Sequence, residues 1–393
     1  MRLVNLVISA GIVFFVIGGI NILLFYLLHP AWWKRGLLRY SIILMPFLAT
    51  GSAALWAISF QKHWTAALFW GMNLAPTLFI LESALLVTLP ISSIIHSIIR
   101  VIDLIRQKKG DFSPGRRRFI KGAAAVFPVT AMAGGMAGVI DSYRDIQVPV
   151  IRLPIPNLPG PLFGLRIAHL SDLHLGYYIH LRNLQDVIEK IRPHKPDLVL
   201  FTGDISDDLS QLPQVLEIVD SLQPRFGTYA GVGNHEYYRG IEEVIAIFKK
   251  APFPMLINNH VNINIGGINV YLGGADDPRY LRKDYSDFIR TTIDHTMGAA
   301  APNSFQILMC HRPEGLNHAA ARGVDLVLAG HTHGGQVGFA GRSAFETLFP
   351  EKYLWGLYRK GQTTLYTSGG MGHWFPFRLG IPTQAPIIVL ENA

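Results

Sequence analysis

Leu165-Arg166-Ile167-Ala168-His169-Leu170-Ser171-Asp172-Leu173-His174 is the stretch from which the reading of this 393-residue chain begins. It opens as an apolar run, Leu165 to Leu170, and then turns to a polar pair and an Asp-x-His. A short apolar run ending at polar residues or Gly reads as a buried strand, with a loop at its end. The same pattern recurs downstream. Leu198 to Phe201 leads into Gly203-Asp204, the shorter run Thr228 to Val232 into Gly233-Asn234-His235-Glu236, Phe305 to Cys310 into His311, and Leu326 to Ala329 into Gly330-His331-Thr332-His333. The polar residues therefore sit on loops after strand ends, where an α/β sheet places its functional groups.

Taken singly, each motif has an ordinary structural reading: Asp172 a turn, Asp204 a helix N-cap, Asn234 with Gly233 another turn. Taken in order, they supply five His, two Asp and one Asn. These are oxygen and imidazole donors suited to divalent metals, and enough of them for two adjacent ions sharing a bridging carboxylate. The chemistry such a pair serves is hydrolysis of an anionic ester, which repels an attacking anion and is inert to neutral water. Two dications roughly 3.5–4 Å apart lower the pKa of a bridging water, orient it in line and neutralise charge on the phosphoryl oxygens. Asp204 suits the bridge because each carboxylate oxygen can take one ion, and a neutral Asn234 keeps the site positive towards an anionic substrate.

At these residues the chain resembles the calcineurin-like metallophosphoesterases, in particular a membrane-associated bacterial branch whose last motif continues as Gly330-His331-Thr332-His333-Gly334-Gly335-Gln336. The resemblance covers roughly Leu165 to Leu390 and implies a four-layer αββα sandwich. It implies that Asp172, His174 and His333 hold one metal, that Asn234, His311 and His331 hold the other, and that Asp204 bridges them. His235 is then no ligand; it faces the substrate, stabilises phosphoryl oxygens and protonates the leaving oxygen. The metals are two divalent ions, and a His, Asp and Asn set suits Mn, Fe or Zn alike.

Residues around the motifs carry weaker expectations. His169 packs rather than ligates. His180 and His373 follow loops that could fold over the metals. Arg312 has two open readings, a phosphate-oxygen contact or an exposed salt bridge. Asp207 and Asp277 are candidates for carboxylates that orient ligand histidines.

The first 145 residues are of another kind. Leu3 to Leu28 and Leu37 to Phe60 are almost wholly apolar, and a third run begins at Trp64 and passes Val87. Each exceeds the ~18–20 residues that cross a bilayer as a helix. Pro76 and Glu82 interrupt the third, whose continuation from Ile91 to Ile105 reads as an amphipathic extension; Gly122 to Ile140 is a thinner fourth run rich in Ala and Gly. The expectation is a transmembrane helical region of about four spans (1–145), a proline-rich linker (146–163) and a catalytic α/β domain (164–393). Val148 to Pro161, with Pro149, Pro154, Pro156, Pro159 and Pro161, reads as a stiff extended linker or edge segment.

Charge placement suggests orientation. Arg100 to Lys121 holds eight Lys or Arg and Pro30 to Arg39 holds three, whereas Gln61 to His63 holds only Lys62. The positive-inside bias puts the first two loops in the cytoplasm, and four spans then put both termini and the catalytic domain outside. Gly115-Arg116-Arg117-Arg118-Phe119-Ile120-Lys121 before an apolar run also resembles a twin-arginine export signal, with Gly where Ser or Thr is usual; three arginines anchoring a membrane edge is the other reading. Residues 1–147 carry net +9 and the remainder net −1. The basic pI of about 9.5 thus reflects membrane topology rather than affinity for nucleic acid, and no nucleic-acid partner is expected. The lone Cys310 permits no intrachain disulfide.

The sequence reading is a multi-pass, membrane-anchored, dinuclear-metal phosphoesterase acting on phosphodiester or pyrophosphate bonds of a phosphorylated or lipid-linked envelope substrate, with membrane lipids as partners. Two alternatives stand beside it: a cytoplasm-facing hydrolase resembling those that cleave UDP-diacylglucosamine, and a metal-binding membrane scaffold with little turnover.

Overall fold

The computed structural model describes residues 2–62, 64–107, 114–279 and 284–393. Contacts divide the chain into two compact units, 1–140 with 375–377, and 141–374 with 378–393.

The first unit is helical: Arg2–Leu28, Pro30–Trp33, Gly36–Lys62, Thr65–Gln107 and Pro114–Ser142. Three stretches, Val7–Leu28, Gly36–Lys62 and Ala66–Ile102, are long and apolar enough to cross a bilayer. Their contacts are lined by small side chains, with Ala49, Ala53, Ala57 and Ala75 all buried, as expected where helices associate by close packing rather than by a hydrophobic drive. The third run and its extension from Ile91 to Ile105 form one 43-residue helix, Thr65–Gln107, which runs through both Pro76 and Pro90. A proline removes one amide donor, a loss that neighbouring helices can absorb in a spanning segment. The fourth expected run, Gly122 to Ile140, lies on helix Pro114–Ser142, and Val126–Ser142 is the apolar part of that helix among the described residues. Gly110 and the side chains of Arg116, Arg117 and Arg118 lie outside the described residues.

The second unit carries thirteen strands among its described residues: β1 (Val150–Ile155), β2 (Arg166–Leu170), β3 (Leu198–Phe201), β4 (Thr228–Ala230), β5 (Asn259–Ile265), β6 (Ile268–Gly274), β7 (Phe305–Met309), β8 (Leu326–Ala329), β9 (Gly338–Phe339), β10 (Arg342–Ser343), β11 (Gly356–Lys360), β12 (Thr363–Thr367) and β13 (Ile387–Asn392). They form a five-stranded sheet of order β1-β13-β2-β3-β4, a six-stranded sheet of order β11-β12-β8-β7-β6-β5, and the small β9–β10 pair. Pairing is parallel from β2 through β4 and from β12 through β8 and β7 to β6. The proline-rich segment becomes β1, an edge strand parallel to β13, the position in a sheet that tolerates proline.

Three apolar clusters fill the three interfaces of four layers. Ile167, Leu198 and Leu200 meet Val270, Leu272, Ile307, Leu326 and Leu328 between the sheets. The alternate residues Ala168, Leu170, Val199 and Phe201 pack outward against the helices Leu181–Ile191, Leu212–Asp220 and Ile241–Phe248. On the far side, Leu308, Val327 and Tyr271 pack against Tyr285–Met297 and Leu316–Ala321. Strands buried on both faces need the continuous apolar runs seen in β2, β3, β7 and β8. Helix Leu181–Ile191 shows the complementary pattern, burying Leu184, Val187, Ile188 and Ile191 at helical spacing along one face. Each fully buried Leu or Ile contributes about 1.5–3 kcal/mol, so these interfaces hold the strand ends, and the loops on them, rigidly in place.

Candidate metal centre

The carboxyl ends of β2, β3, β7 and β8 and the loop after β4 converge. Asp172, His174 and His333 offer ligand atoms within 4.8 Å of one another, as do Asp204, His311 and His331, and also His174, Asp204 and His235. All seven ligands expected from the sequence lie on these loops, and Asp204 belongs to two of the groups. Its Oδ2 stands 3.3 Å from His311 Nε2 and 3.6 Å from His174 Nε2.

The backbone reaches this arrangement through strain. Asp172, His174, Asp204, His331 and His333 all have φ between 48° and 68°, a left-handed conformation uncommon for residues other than glycine and concentrated at functional sites. Space is equally tight. A Cβ at Gly330 would lie 2.0 Å from Ser171 Oγ and 2.1 Å from Asp172 Oδ2, so the glycine lets the β8 loop approach closely enough for His331 N to donate to Asp172 Oδ1 at 2.9 Å.

Hydrogen bonds aim each donor. Thr202 Oγ1 donates to Ser171 Oγ at 2.8 Å, and Ser171 donates to Asp172 Oδ2 at 2.5 Å. His311 Nδ1 lies 2.7 Å from the Thr202 carbonyl, which makes it the donor and leaves Nε2 facing the centre. The amide of His235 donates to Asp204 Oδ1 at 2.8 Å. Glu236, next to His235 in the same motif and given no role by the motif pattern, is buried and accepts from the amides of Gly233, Asp204 and Ile205 at 2.8, 2.9 and 2.7 Å. It ties the β4 loop to the β3 loop.

The fit of the residues to metal ions is tested by what they lack. Asn234 Oδ1 and His311 Nε2 are buried with no hydrogen-bond partner, and His174 Nε2 faces His333 Nε2 at 3.2 Å. Buried acceptors without donors, and two imidazole nitrogens pointed at each other, are what a cation between them resolves. The donor set fits divalent ions. Electrostatics agree: burial opposes ionisation of Asp204, yet His311 and His174 hold its carboxyl well below the usual range. Burial likewise opposes protonation of His311, but Asp204 raises it to about 10. Burial, reinforced by Arg312 and Arg378 respectively, keeps His331 and His333 well below the ordinary histidine value.

His235 Nδ1 lies 2.7 Å from Asp207 Oδ1, and Asp207 Oδ2 lies 3.5 Å from His174 Nδ1. Asp277 does not touch a histidine; it accepts from Arg312 Nε at 2.8 Å. The exposed salt bridge considered for Arg312 is therefore a buried one, and Arg312 Nη1 stands 2.8 Å from His331 Nε2. His169 packs: its Nε2 lies 2.9 Å from Thr202 Oγ1, and burial lowers its pKa to about 3. His180 is exposed at the start of helix Leu181–Ile191, its amide donating to Asn183 Oδ1 at 2.9 Å. His373 is buried between Tyr143 and Tyr178. Neither belongs to the three ligand groups. Arg378, unmarked by any motif, is fully buried and places Nη2 2.8 Å from His333 Nδ1.

Residues 165–335 match the family model described as calcineurin-like phosphoesterase. Among curated proteins, an uncharacterized metallophosphoesterase of Campylobacter jejuni is 31% identical over 65% of this chain and 66% of its own length. One from Aquifex aeolicus is 32% identical over 58% of this chain and 85% of its own. A bovine transmembrane protein with metallophosphoesterase domain is 27% identical over 72% of this chain and 65% of its own. The chain thus spans just under two thirds of the length of the first and third of these relatives.

Proposed function

Since the chain belongs to the calcineurin-like phosphoesterase family, we propose that this metal-dependent phosphoester hydrolase uses two divalent ions to cleave phosphodiester or pyrophosphate bonds, on a lipid-linked or envelope substrate. The observation that carries the dinuclear reading is the position of Asp204 Oδ2, within 3.6 Å of imidazole nitrogens from both ligand groups. Asp172, His174 and His333 would hold one ion, Asn234, His311 and His331 the other, and Asp204 would serve both. Two such ions supply Lewis acidity towards the phosphoryl oxygens and a nucleophile at neutral pH.

The chain's own residues do the rest. His235 faces the substrate and delivers the proton to the leaving oxygen, with Asp207 fixing its Nδ1 as donor and so presenting Nε2. The amide of His235 holds Asp204 in its bridging orientation. Glu236 keeps the two loops in register. The test is elemental analysis of the purified full-length protein with Mn, Fe or Zn in excess, alongside hydrolysis of an aryl phosphodiester. Two metals per chain and turnover are expected; at most one metal, with activity surviving Asp204→Asn, overturns the reading. Metal without turnover returns the scaffold alternative.

Three helices long enough to span a bilayer support a substrate drawn from the membrane or its surface, with lipids as the surrounding partner; a fourth crossing by helix Pro114–Ser142 puts the catalytic domain outside the cytoplasm. The second reading is a cytoplasm-facing hydrolase similar to those acting on UDP-diacylglucosamine: if helix Pro114–Ser142 does not cross, the three long helices leave the domain on the side of the basic loop.

A further inference from the structure

We propose that the helical unit holds a monovalent-cation site at Glu82, taking a proton or a sodium ion. The inference rests on the membrane reading of the three long helices and goes beyond the hydrolytic site. Glu82 is 1% exposed, and neither carboxylate oxygen has a hydrogen-bond partner among the described residues. Asn21, also 1% exposed, donates its Nδ2 to the Glu82 carbonyl at 2.8 Å and leaves its own Oδ1 without a partner. A Cβ at Gly18, one turn before Asn21, would lie 3.2 Å from Glu82 Oε1 and 2.6 Å from the Pro46 ring. The carboxylate therefore sits where Arg2–Leu28, Gly36–Lys62 and Thr65–Gln107 cross.

Among the described residues, the two Glu82 carboxylate oxygens and Asn21 Oδ1 are buried acceptors with no donor. The three spanning stretches supply no neutralising side chain of their own: residues 3–28, 40–61 and 66–99 contain no Lys or Arg, and Glu82 is their only acidic residue. Helix Pro114–Ser142, which passes Ile80 at Gly135, carries no charged residue from Gly122 to Ile140. Two histidines lie farther along the bundle, His29 with Nε2 3.2 Å from the Leu89 carbonyl and His96 with Nδ1 3.1 Å from the Ser92 carbonyl. Leu89 lies two helical turns, about 10 Å, beyond Glu82, so these imidazoles do not reach the carboxylate. An unpaired charge in such a setting is costly, and ionisable groups retained in spanning segments mark ion or proton sites. A small cation meets the requirement because it neutralises the carboxylate and needs little space.

The test is labelling of the full-length protein in lipid nanodiscs with dicyclohexylcarbodiimide, which adds across a protonated carboxyl sheltered from water and releases nothing. An adduct on Glu82 is expected, its yield falling about tenfold per pH unit on the alkaline limb of a single-site titration. Suppression by sodium, with choline as the comparison salt, identifies sodium as the occupant; indifference to sodium with retained pH dependence identifies the proton. Glu82→Gln should lose the adduct and keep hydrolysis of a soluble aryl phosphodiester. No adduct at Glu82 under any of these conditions, or a yield indifferent to both pH and sodium, overturns the proposal.

Discussion

His235 Nδ1 stands 2.7 Å from Asp207 Oδ1, and the same oxygen accepts from Arg239 Nε at 3.1 Å. Burial pushes Asp207 up, but hydrogen bonds to His174 and His235 hold its carboxyl far below the usual range. An ionised carboxylate behind Nδ1 fixes the tautomer and supports the charged ring, so Nε2 is the nitrogen that gives up a proton. Removing the imidazole with His235→Ala should lower turnover ~10² to 10⁴-fold, the usual contribution of a positioned general acid, with metal content nearly unchanged. Asp207→Asn should cost less, roughly 10- to 100-fold. Loss of metal in the His235 variant would instead make it a ligand.

Asp204→Asn should be the most damaging ligand change, because the same side chain serves both groups. Elemental analysis should find both metals weakened, whereas His333→Ala, on one group only, should spare the other ion. Equal stoichiometry in the two variants would refute a shared ligand.

Much of this site was legible because it depends on local rules. β3 and β8 begin and end where their apolar runs do, since a strand buried on both faces needs an unbroken run and a loop needs polar or flexible residues. Thr228 to Val232 shortened to Thr228–Ala230, its Gly231 weakening the strand. What the chain does not announce locally is long-range. Arg378 meets His333 from 45 residues away, and β1 acquires its neighbour β13 from the other end of the domain. The left-handed backbone at Asp172, His174, Asp204, His331 and His333 is likewise imposed by the surrounding fold, because Asp and His do not demand it.

Glu236 suggests a test of that imposed geometry. Glu236→Ala would orphan three buried amides, at about 1–3 kcal/mol each if none finds water. A clear drop in melting temperature is expected together with weaker metal binding, since the amide of Asp204 is one of the three. Glu236→Gln keeps an acceptor and should fall between. Wild-type stability with lost turnover would reassign Glu236 to the chemistry.

The metal-free protein should lose stability as pH rises. Burial lowers and Asp204 raises the pKa of His311, to about 10 against an ordinary 6.5; a folded-state value above the unfolded one stabilises fully below 6.5 and is lost through about 10. Asp204, held low, acts in the opposite sense and loses its contribution only in acid, below the ordinary 3.8. Thermal melts of the metal-free protein should therefore decline from neutral to alkaline pH, and added metal should flatten the decline by replacing the proton. A metal-free profile that is level to pH 10 would contradict the pairing.

Sidedness decides between the two substrate classes, and it turns on helix Pro114–Ser142. Eight basic residues between Arg100 and Lys121 should hold that loop in the cytoplasm. That helix is 29 residues long, and its Ala- and Gly-rich turns suit close packing against neighbouring helices in a membrane. The expected result is an external signal from a reporter fused after Ala393 and a cytoplasmic one from a reporter near Gly110. Replacing Arg116, Arg117 and Arg118 together with neutral residues then separates the two modes of placement. Export fails if a twin-arginine route is used, and orientation survives on the five remaining basic residues if charge bias suffices. A cytoplasmic signal from the unaltered C-terminal fusion would mean that helix Pro114–Ser142 does not cross, and would move a cytoplasmic nucleotide-linked lipid ahead of an envelope substrate.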